Sequence, residues 1–124
     1  MAPTAGIVDD HPGFRTVARR LLEGAGFDVV MEAAEGESAL AAVRTLHPDL
    51  VLVDVGLPGM DGIDVADLLA GEHAPPVVVL TSGRDPADYG PRVAASRAAG
   101  FVPKAELTRE RIRSFLPEPE AGHP

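Results

Sequence analysis

Four short apolar runs in this chain each end in a carboxylate, a hydroxyl or an ammonium group. These groups and the runs they follow are Asp9 and Asp10 after residues 5–8, Asp54 after residues 50–53, Thr81 after residues 77–80, and Lys104 after residues 101–103. A carboxylate can act as a nucleophile, and an ammonium or a hydroxyl group can stabilise negative charge on a transferring group. Several carboxylates close together can hold a hard divalent cation such as Mg²⁺. If these groups lie close together, they suit phosphoryl transfer.

The apolar runs are typical of strands in a parallel sheet. Residues 50–53 are all apolar, which predicts a strand buried on both faces. Gly56, Pro58, Gly59 and Gly62 then turn the chain sharply, so Asp54 is expected at the carboxyl end of this strand. Ligands of open parallel sheets bind at that edge.

Helical patterns separate the predicted strands. The strands are predicted at residues 5–8, 27–31, 50–53, 77–80 and 101–102. The first helix is predicted from Pro12 to about Gly24, because apolar residues recur there at helical spacing; they are Phe14, Val17, Ala18, Leu21 and Leu22. The second is predicted over residues 37–46, with Leu46 among the inward residues, and the third from Asp61 as N-cap to Ala70. The fourth and fifth are predicted over residues 92–99 and 109–116, the last one capped by Thr108. The helix at 92–99 has the weakest pattern, because Gly90 and Pro91 interrupt its start and its apolar face is mostly alanine.

This alternation predicts a single-domain α/β fold, with a doubly wound, five-stranded parallel sheet, five helices and right-handed crossovers. The domain is expected to span residues 1–116, and the polar, proline-rich residues 117–124 are expected to form a flexible tail.

Composition excludes several classes of protein. The chain has 124 residues and no cysteine, which excludes disulfides and thiolate metal sites. Its formal charge of −8 argues against direct nucleic-acid binding. No apolar run approaches the roughly 20 residues that cross a membrane, and no export signal opens the chain. We therefore expect a cytoplasmic protein that binds neither nucleic acid nor a membrane.

The carboxyl ends of parallel strands share one edge of the sheet, so the four groups should converge in one pocket. Three carboxylates there would repel one another by roughly 4 kcal/mol per pair at about 4 Å and an effective dielectric constant near 20. A divalent cation such as Mg²⁺ would relieve this repulsion.

Each residue also has a plain structural explanation. Asp10 could be only the N-cap of the first helix, Thr81 a strand-end cap, Lys104 a solvated surface residue and Phe101 a core residue. His11 and His47 have no partners at metal-ligand spacing and are predicted to lie on the surface. Only the combination favours a functional site.

Over about residues 5–116, the chain resembles the receiver domain of bacterial two-component response regulators, which have a flavodoxin-like fold. The matching motifs are Val-Asp-Asp-His-Pro at residues 8–12, Asp54 with Leu-Pro-Gly-Met-Asp-Gly at residues 57–62, Thr-Ser-Gly at residues 81–83, and Gly-Phe-Val-Pro-Lys at residues 100–104. The Asp-Asp-His-Pro opening is most similar to receivers that are usually fused to a helix-turn-helix output domain.

The resemblance implies a role for each matching residue. Asp54 would be the phosphoacceptor, and Thr81 and Lys104 would hold the phosphoryl oxygens. The Mg²⁺ ligands would be Asp10, Asp54 and the backbone carbonyl of Gly56, with Asp9 acting through water. Phe101 would be the switch aromatic residue that responds to Thr81. A sensor histidine kinase or a phosphotransfer protein would supply the phosphoryl group.

Three features depart from the pattern of many receivers. Ala105 follows Lys104, where many receivers have a proline after a cis peptide bond, so the backbone geometry there is open. Gly56 and Gly83 stand where many receivers carry larger side chains. Because glycine has no side chain, water should have freer access to the site. Gly90 and Pro91 suggest a shortened or irregular fourth helix.

Two other classes of function compete with a receiver. A Mg²⁺-dependent phosphatase with an aspartate nucleophile would need a second acid two residues after Asp54, where this chain has Gly56. A receiver-like domain that is never phosphorylated would be expected to lack part of the acidic cluster, which is complete here. We therefore expect no enzyme, apart from self-directed phosphoryl transfer and autodephosphorylation.

The signal is expected to leave through the surface of a stand-alone domain, because residues 117–124 are too short to form an effector domain. The resemblance places this surface on the fourth helix, the strand of Phe101 and the last helix. Basic residues on or beside it suggest an acidic downstream protein or a homodimer; they are Arg92, Arg97, Arg109, Arg111 and Arg113.

Overall fold

A computed structural model describes residues 2–116 and places five parallel strands in one sheet. The strands are β1 (Thr4–Val8), β2 (Asp28–Ala33), β3 (Leu50–Asp54), β4 (Val77–Ser82) and β5 (Gly100–Pro103). Their order in the sheet is β2-β1-β3-β4-β5. The predicted α/β fold is confirmed, and the predicted tail at 117–124 lies outside the described residues.

Five helices occur in the described part of the chain. They are α1 (Pro12–Gly24), α2 (Gly36–Leu46), α3 (Gly62–Ala70), α4 (Arg92–Ala95) and α5 (Arg109–Arg113). Two short 3₁₀ turns, Pro86–Tyr89 and Lys104–Glu106, precede α4 and α5. No helix among residues 2–116 has the length and apolar character that a membrane span requires.

The three central strands of the sheet, β1, β3 and β4, are buried on both faces, as their apolar sequences predict. Every residue of β3 is buried, and this strand pairs with β1 on one side and β4 on the other. One face packs against Val43 of α2 and Leu69 of α3, and the other against Leu22 of α1 and Ile112 of α5. These two apolar layers hold the central strand, and Asp54 at its end, in a fixed position.

Side-chain caps begin two of the helices at the predicted residues. Asp61 accepts a hydrogen bond from the Asp64 N–H at 3.0 Å, and Thr108 accepts one from the Arg111 N–H at 3.1 Å. The N-cap of α1 is His11, which makes no side-chain cap. The interpretation of Asp10 as only the cap of α1 is therefore wrong.

Four details of the predicted helices are also wrong. Leu46, predicted to face inward, is 47% exposed, and Val17, placed by helical spacing with the apolar residues of α1, is 52% exposed, because each lies at the edge of its helix's apolar stripe. Helix α4 ends at Ala95 rather than residue 99, because its alanine-rich face has little apolar area to bury. Helix α5 ends at Arg113 rather than residue 116.

Candidate functional site

Four neighbouring strands bring the predicted site residues to one edge of the sheet. Asp9 follows β1, Asp54 ends β3, Thr81 lies in β4 directly beside Asp54, and Lys104 follows β5. Because β1, β3, β4 and β5 are consecutive in the sheet, residues far apart in sequence become neighbours. Asp54, Gly56 and Lys104 line part of an open cleft of about 620 Å³, whereas Asp9 and Thr81 are fully buried.

The acidic residues form a tight cluster. One ligand atom from each of Asp9, Asp10, His11 and Asp54 lies within 4.8 Å of the others. Asp9 and Asp54 are buried, whereas Asp10 is partly exposed. Asp9 Oδ1 accepts a hydrogen bond from the backbone N–H of His11 at 2.8 Å, which fixes that carboxylate.

Lys104 is the cation of this cluster. Its Nζ lies 2.7 Å from Asp9 Oδ2 and 3.7 Å from Asp54 Oδ1. The same ammonium group lies 4.2 Å from the centre of the Phe14 ring, in a cation–π contact. Two carboxylates and one ring thus hold the ammonium group beside Asp54.

The ionisation of Asp54 reflects its crowded surroundings. Burial raises the pKa of the Asp54 carboxyl above its ordinary value, and the negative charge of Asp9 acts in the same direction. The charge of Lys104 and the backbone N–H of Gly56 favour the ionised form and partly offset this effect. The surroundings therefore destabilise the ionised form of Asp54, and an added cation would reduce this electrostatic penalty.

Three buried polar atoms at this edge meet no hydrogen-bond geometry among the described residues; they are Asp9 Oδ2, Asp10 Oδ1 and Thr81 Oγ1. Asp9 Oδ2 nevertheless lies 2.7 Å from Lys104 Nζ and Asp10 Oδ1 lies 3.2 Å from His11 Nδ1, so of these three atoms only the Thr81 hydroxyl has no polar partner of either kind within residues 2–116. The two carboxylate oxygens are the type of ligand that Mg²⁺ takes, and they belong to a cluster of closely spaced acids. The residues present therefore fit a magnesium ion. The Thr81 hydroxyl is a buried donor free to bind a ligand oxygen.

The loop after β3 explains how Asp54 reaches the cleft. The backbone N–H of Gly62 donates to the carbonyl oxygen of Val55 at 3.0 Å, so the chain folds back onto the end of the strand. A Cβ at residue 62 would overlap the backbone of Asp54 and Val55. Gly59 has a positive φ of 71°, which a glycine adopts freely. Glycines at 59 and 62 therefore make this tight turn possible.

The other predicted positions lie in or near the cleft. Gly56 is exposed beside Asp54, and the Lys104–Ala105 peptide bond is trans, like every peptide bond of residues 2–116. Phe101 lies on β5 and is half-buried against the core, near the cluster that includes Tyr89 and Val93. His11 is exposed as predicted, but its Nδ1 lies 3.1 Å from Asp9 Oδ1 and belongs to the acidic cluster.

Two residues of the cleft wall, Ser82 and Tyr89, have no role in the site predicted from sequence. Ser82 is buried, and its hydroxyl forms a hydrogen bond with the hydroxyl of Tyr89. Ser82 Oγ also accepts a hydrogen bond from the backbone N–H of Arg84 at 3.0 Å. Residues 84–90 were interpreted only as a loop, because nothing in their spacing indicates that Tyr89 folds back towards the end of β4.

Two arginines of the predicted output surface make internal contacts instead. Arg92 Nη2 lies 2.8 Å from Oδ2 of Asp61, the N-cap of α3. The backbone N–H of Arg97 donates to Asp67 Oδ1 of α3 at 2.8 Å, and its guanidinium approaches the carbonyl of Ala70. These contacts tie the segment around α4 to α3, so Arg92 and Arg97 offer less charge to a partner than predicted.

Comparison with known proteins gives consistent matches. The family model of the response regulator receiver domain matches residues 6–116. A transcriptional regulator from Pseudomonas aeruginosa is 40% identical over 106 residues, covering 86% of this chain and 51% of that protein. The DNA-binding transcriptional activator EvgA of Escherichia coli is 37% identical over 100 residues, covering 81% of this chain and 49% of that protein.

A solved structure shares the architecture. The signal receiver domain of the response regulator NarL from Mycobacterium tuberculosis superimposes with a TM-score of 0.78 and 32% identity, covering 92% of this chain and 96% of that one. The chain spans about half the length of the curated relatives that it matches.

Proposed function

Since the chain belongs to the response regulator receiver domain family, we propose that Asp54 accepts its phosphoryl group. Signalling by phosphorylation is the general function of this family, whose members act in two-component systems. The observation that carries the assignment is the position of Asp54. It is a buried carboxylate at the end of the central strand, facing an open cleft beside Lys104 and two further acids.

The surrounding residues suit the transfer of a phosphoryl group to Asp54. A carboxylate oxygen of Asp54 would bond to phosphorus while the bond between phosphorus and the donor breaks, and the donor leaves with that electron pair. Lys104, 3.7 Å from Asp54 Oδ1, would stabilise negative charge on the phosphoryl oxygens. The unpaired Thr81 hydroxyl would donate to one of those oxygens. Lys104 and Thr81 thus favour the phosphorylated product.

We further propose that this site works with Mg²⁺. Asp10, Asp54 and the backbone carbonyl of Gly56 would be its ligands, with Asp9 acting through water. The close spacing of the acids supports this set, because one carboxylate oxygen from each of Asp9, Asp10 and Asp54 lies within 4.8 Å of the others. When bound, the cation would neutralise charge on the acids and on the phosphoryl oxygens.

The relatives are named as transcriptional regulators, and we propose that this chain is likewise a signalling domain rather than an enzyme with a separate substrate. Its phosphoryl group would come from a sensor histidine kinase or a phosphotransfer protein. A downstream protein or a second copy of the chain would receive the signal, without direct contact to nucleic acid. The absence of cysteine agrees with a cytoplasmic location, and the net charge of −8 agrees with the lack of direct nucleic-acid contact.

A switch would connect Asp54 with the output surface. Thr81 pairs with Val102 in the β4–β5 ladder, and Phe101 is the residue before it. Movement of the Thr81 hydroxyl towards a phosphoryl oxygen would vacate space that the half-buried Phe101 ring can enter. Phosphorylation would thereby change the surface formed by α4, β5 and α5.

Acetyl phosphate labelling tests the phosphoacceptor directly. In the presence of Mg²⁺, wild type should gain the mass of one phosphoryl group, and Asp54→Asn should gain none. Asp28→Asn, which removes an exposed carboxylate at the start of β2, is the matched control and should label like wild type. Removal of Mg²⁺ with EDTA should abolish labelling. Equal labelling of wild type and Asp54→Asn would rule out Asp54 as the only acceptor.

A further inference from the structure

Arg84 places a second cationic side chain on the cleft of Asp54. It lines the cleft together with Lys104, Ser82 and Tyr89, and it is exposed. Within residues 2–116, no carboxylate oxygen lies within 4.0 Å of its guanidinium group, and its side chain makes no hydrogen bond. Its charge is therefore available to a ligand that enters the cleft.

The backbone at Arg84 is held while the side chain remains free. The Arg84 N–H donates to the buried Ser82 hydroxyl at 3.0 Å, and Tyr89 holds that hydroxyl from the other side. Asp85 Oδ1 then accepts a hydrogen bond from the Ala87 N–H at 2.9 Å, which starts the following turn. These bonds fix the base of the Arg84 side chain at the rim of the cleft.

Lys104 alone is poorly placed to neutralise a phosphoryl group. Its ammonium group already lies 2.7 Å from Asp9 Oδ2, so part of its charge compensates that buried acid. A phosphoryl group brings a charge of about −2 into the same space. Asp9 and Asp10 repel this charge, and the charges of a bound Mg²⁺ and of Lys104 together would not fully balance these two acids and the phosphoryl group. A second positive group at the cleft would therefore strengthen the binding of the phosphoryl oxygens.

We infer that Arg84 is a second phosphoryl-binding residue of this cleft, whose guanidinium group contacts the oxygens of a phosphoryl group on Asp54. The inference rests on the proposed function of Asp54 and adds a ligand contact to it. The planar guanidinium group presents paired donors that match the oxygens of a phosphate. Arg84 thus adds a second cation to the lining that it shares with Lys104.

Two glycines, Gly56 and Gly83, line the cleft together with Arg84 and Asp54. A Cβ at Gly83 would meet no atom within 4 Å, and one at Gly56 would meet only Asp54 Oδ2, at 3.7 Å. The cleft is therefore not crowded at these two positions of its lining.

Binding of beryllofluoride, a non-covalent mimic of the phosphoryl group, provides the test. Tyr89 is the only tyrosine of a chain without tryptophan, so the intrinsic fluorescence of the protein reports on the cleft wall. In the presence of Mg²⁺, Arg84→Gln should weaken the apparent affinity for beryllofluoride about three- to tenfold. Arg84→Lys keeps the charge without the paired donors and should fall between wild type and Arg84→Gln.

Arg20→Gln is the matched control, because it removes the same charge from an exposed position on α1 that does not line the cleft. Its affinity should equal that of wild type. Equal affinities of Arg84→Gln and wild type would overturn the inference, and so would equal weakening by Arg84→Gln and Arg20→Gln.

Labelling with acetyl phosphate separates this inference from the proposed function. A wild type that gains a phosphoryl group on Asp54, together with an unaltered affinity of Arg84→Gln for beryllofluoride, would remove Arg84 and leave the function in place. A wild type that gains no phosphoryl group would overturn the proposed function, and the inference with it.

Discussion

At the scale of single residues, the charge of Asp54 links the site to the stability of the fold. Its carboxyl is buried next to the carboxylate of Asp9, and both effects raise its pKa above the ordinary value of 3.8. As the pH rises past 3.8, Asp54 ionises in the unfolded chain before it ionises in the folded chain. The folded state therefore loses stability over this interval, and the full loss remains above the raised pKa.

Asp54→Asn should therefore stabilise the metal-free protein at neutral pH. We expect a gain of about 1 kcal/mol in the free energy of unfolding at pH 7, which is a typical size for a single substitution. The gain should vanish near pH 3, where the carboxyl of wild type is protonated. Urea denaturation in EDTA at both pH values measures the difference. A variant less stable than wild type at pH 7 would contradict the proposed electrostatic strain, and exposed Asp28→Asn should show no such pH dependence.

Sequence patterns predicted the chemical types at the site but not every contact. Asp54, Thr81 and Lys104 could be found because each ends an apolar run. The hydrogen bond between Ser82 and Tyr89 joins residues seven positions apart in an irregular segment, and no periodicity indicates it. Such contacts depend on how the loop folds back, which local propensities do not determine.

At the scale of elements, the helices with wide apolar stripes were predicted well, and the short ones were not. Leu22 and Val43 lie on buried stripes and mark helices whose packing stabilises them. Helix α4 follows Gly90, whose φ is +63°, and is only four residues long. Its position depends on contacts with α3 that the sequence does not indicate.

The contact between Arg92 and Asp61 combines a helix cap with an ion pair. Partial burial opposes charge on Asp61, but hydrogen bonds from the Asp64 N–H and from Arg92 outweigh it and lower the pKa of this carboxyl. A lowered pKa means that the stabilisation is present above pH 3.8, the ordinary value. It is lost as the pH falls through the lower pKa of the folded state.

Substitutions can separate the cap from the ion pair. Asp61→Ala removes both and should cost about 1–2 kcal/mol of unfolding free energy at pH 7. Asp61→Asn keeps a capping oxygen, and Arg92→Gln keeps the cap itself. Each should cost no more than about 1 kcal/mol, because Arg92 is exposed and Asp61 is only partly buried. Chemical denaturation measures all three, with Arg20→Gln as a control for net charge. If Arg92→Gln cost as much as Asp61→Ala, the ion pair rather than the cap would dominate.

At the scale of the whole molecule, strand–helix alternation predicted the parallel sheet but not its strand order. The order β2-β1-β3-β4-β5 is what makes β1, β3, β4 and β5 neighbours. With another order, Asp9 and Lys104 would lie at separate places on the same edge. The 2.7 Å contact between Lys104 Nζ and Asp9 Oδ2 therefore results from the strand order. The strand order in turn depends on packing between elements that are distant in the chain.

The same topology predicts how a phosphoryl group would reach the output surface. Thr81 lies beside Asp54 in one strand pair and beside Val102 in the next. Phe101 of β5 packs against the same core cluster as Tyr89 and Val93, which precede it in the chain. A phosphoryl group that attracts the Thr81 hydroxyl would favour the packing in which Phe101 turns inward.

Amide NMR spectra with and without beryllofluoride measure this change. In wild type, signals should shift at the site and across residues 92–115. In Thr81→Val, which lacks the hydroxyl but keeps nearly the same shape, the shifts near Asp54 should remain while those around Phe101 become smaller. Because valine replaces the hydroxyl of the buried Thr81 with a methyl group, the difference between the two sets of shifts reports the role of the hydroxyl. Shifts in wild type that stayed within the loops of Asp10, Asp54 and Thr81 would exclude this route, and the signal would have to leave through another face.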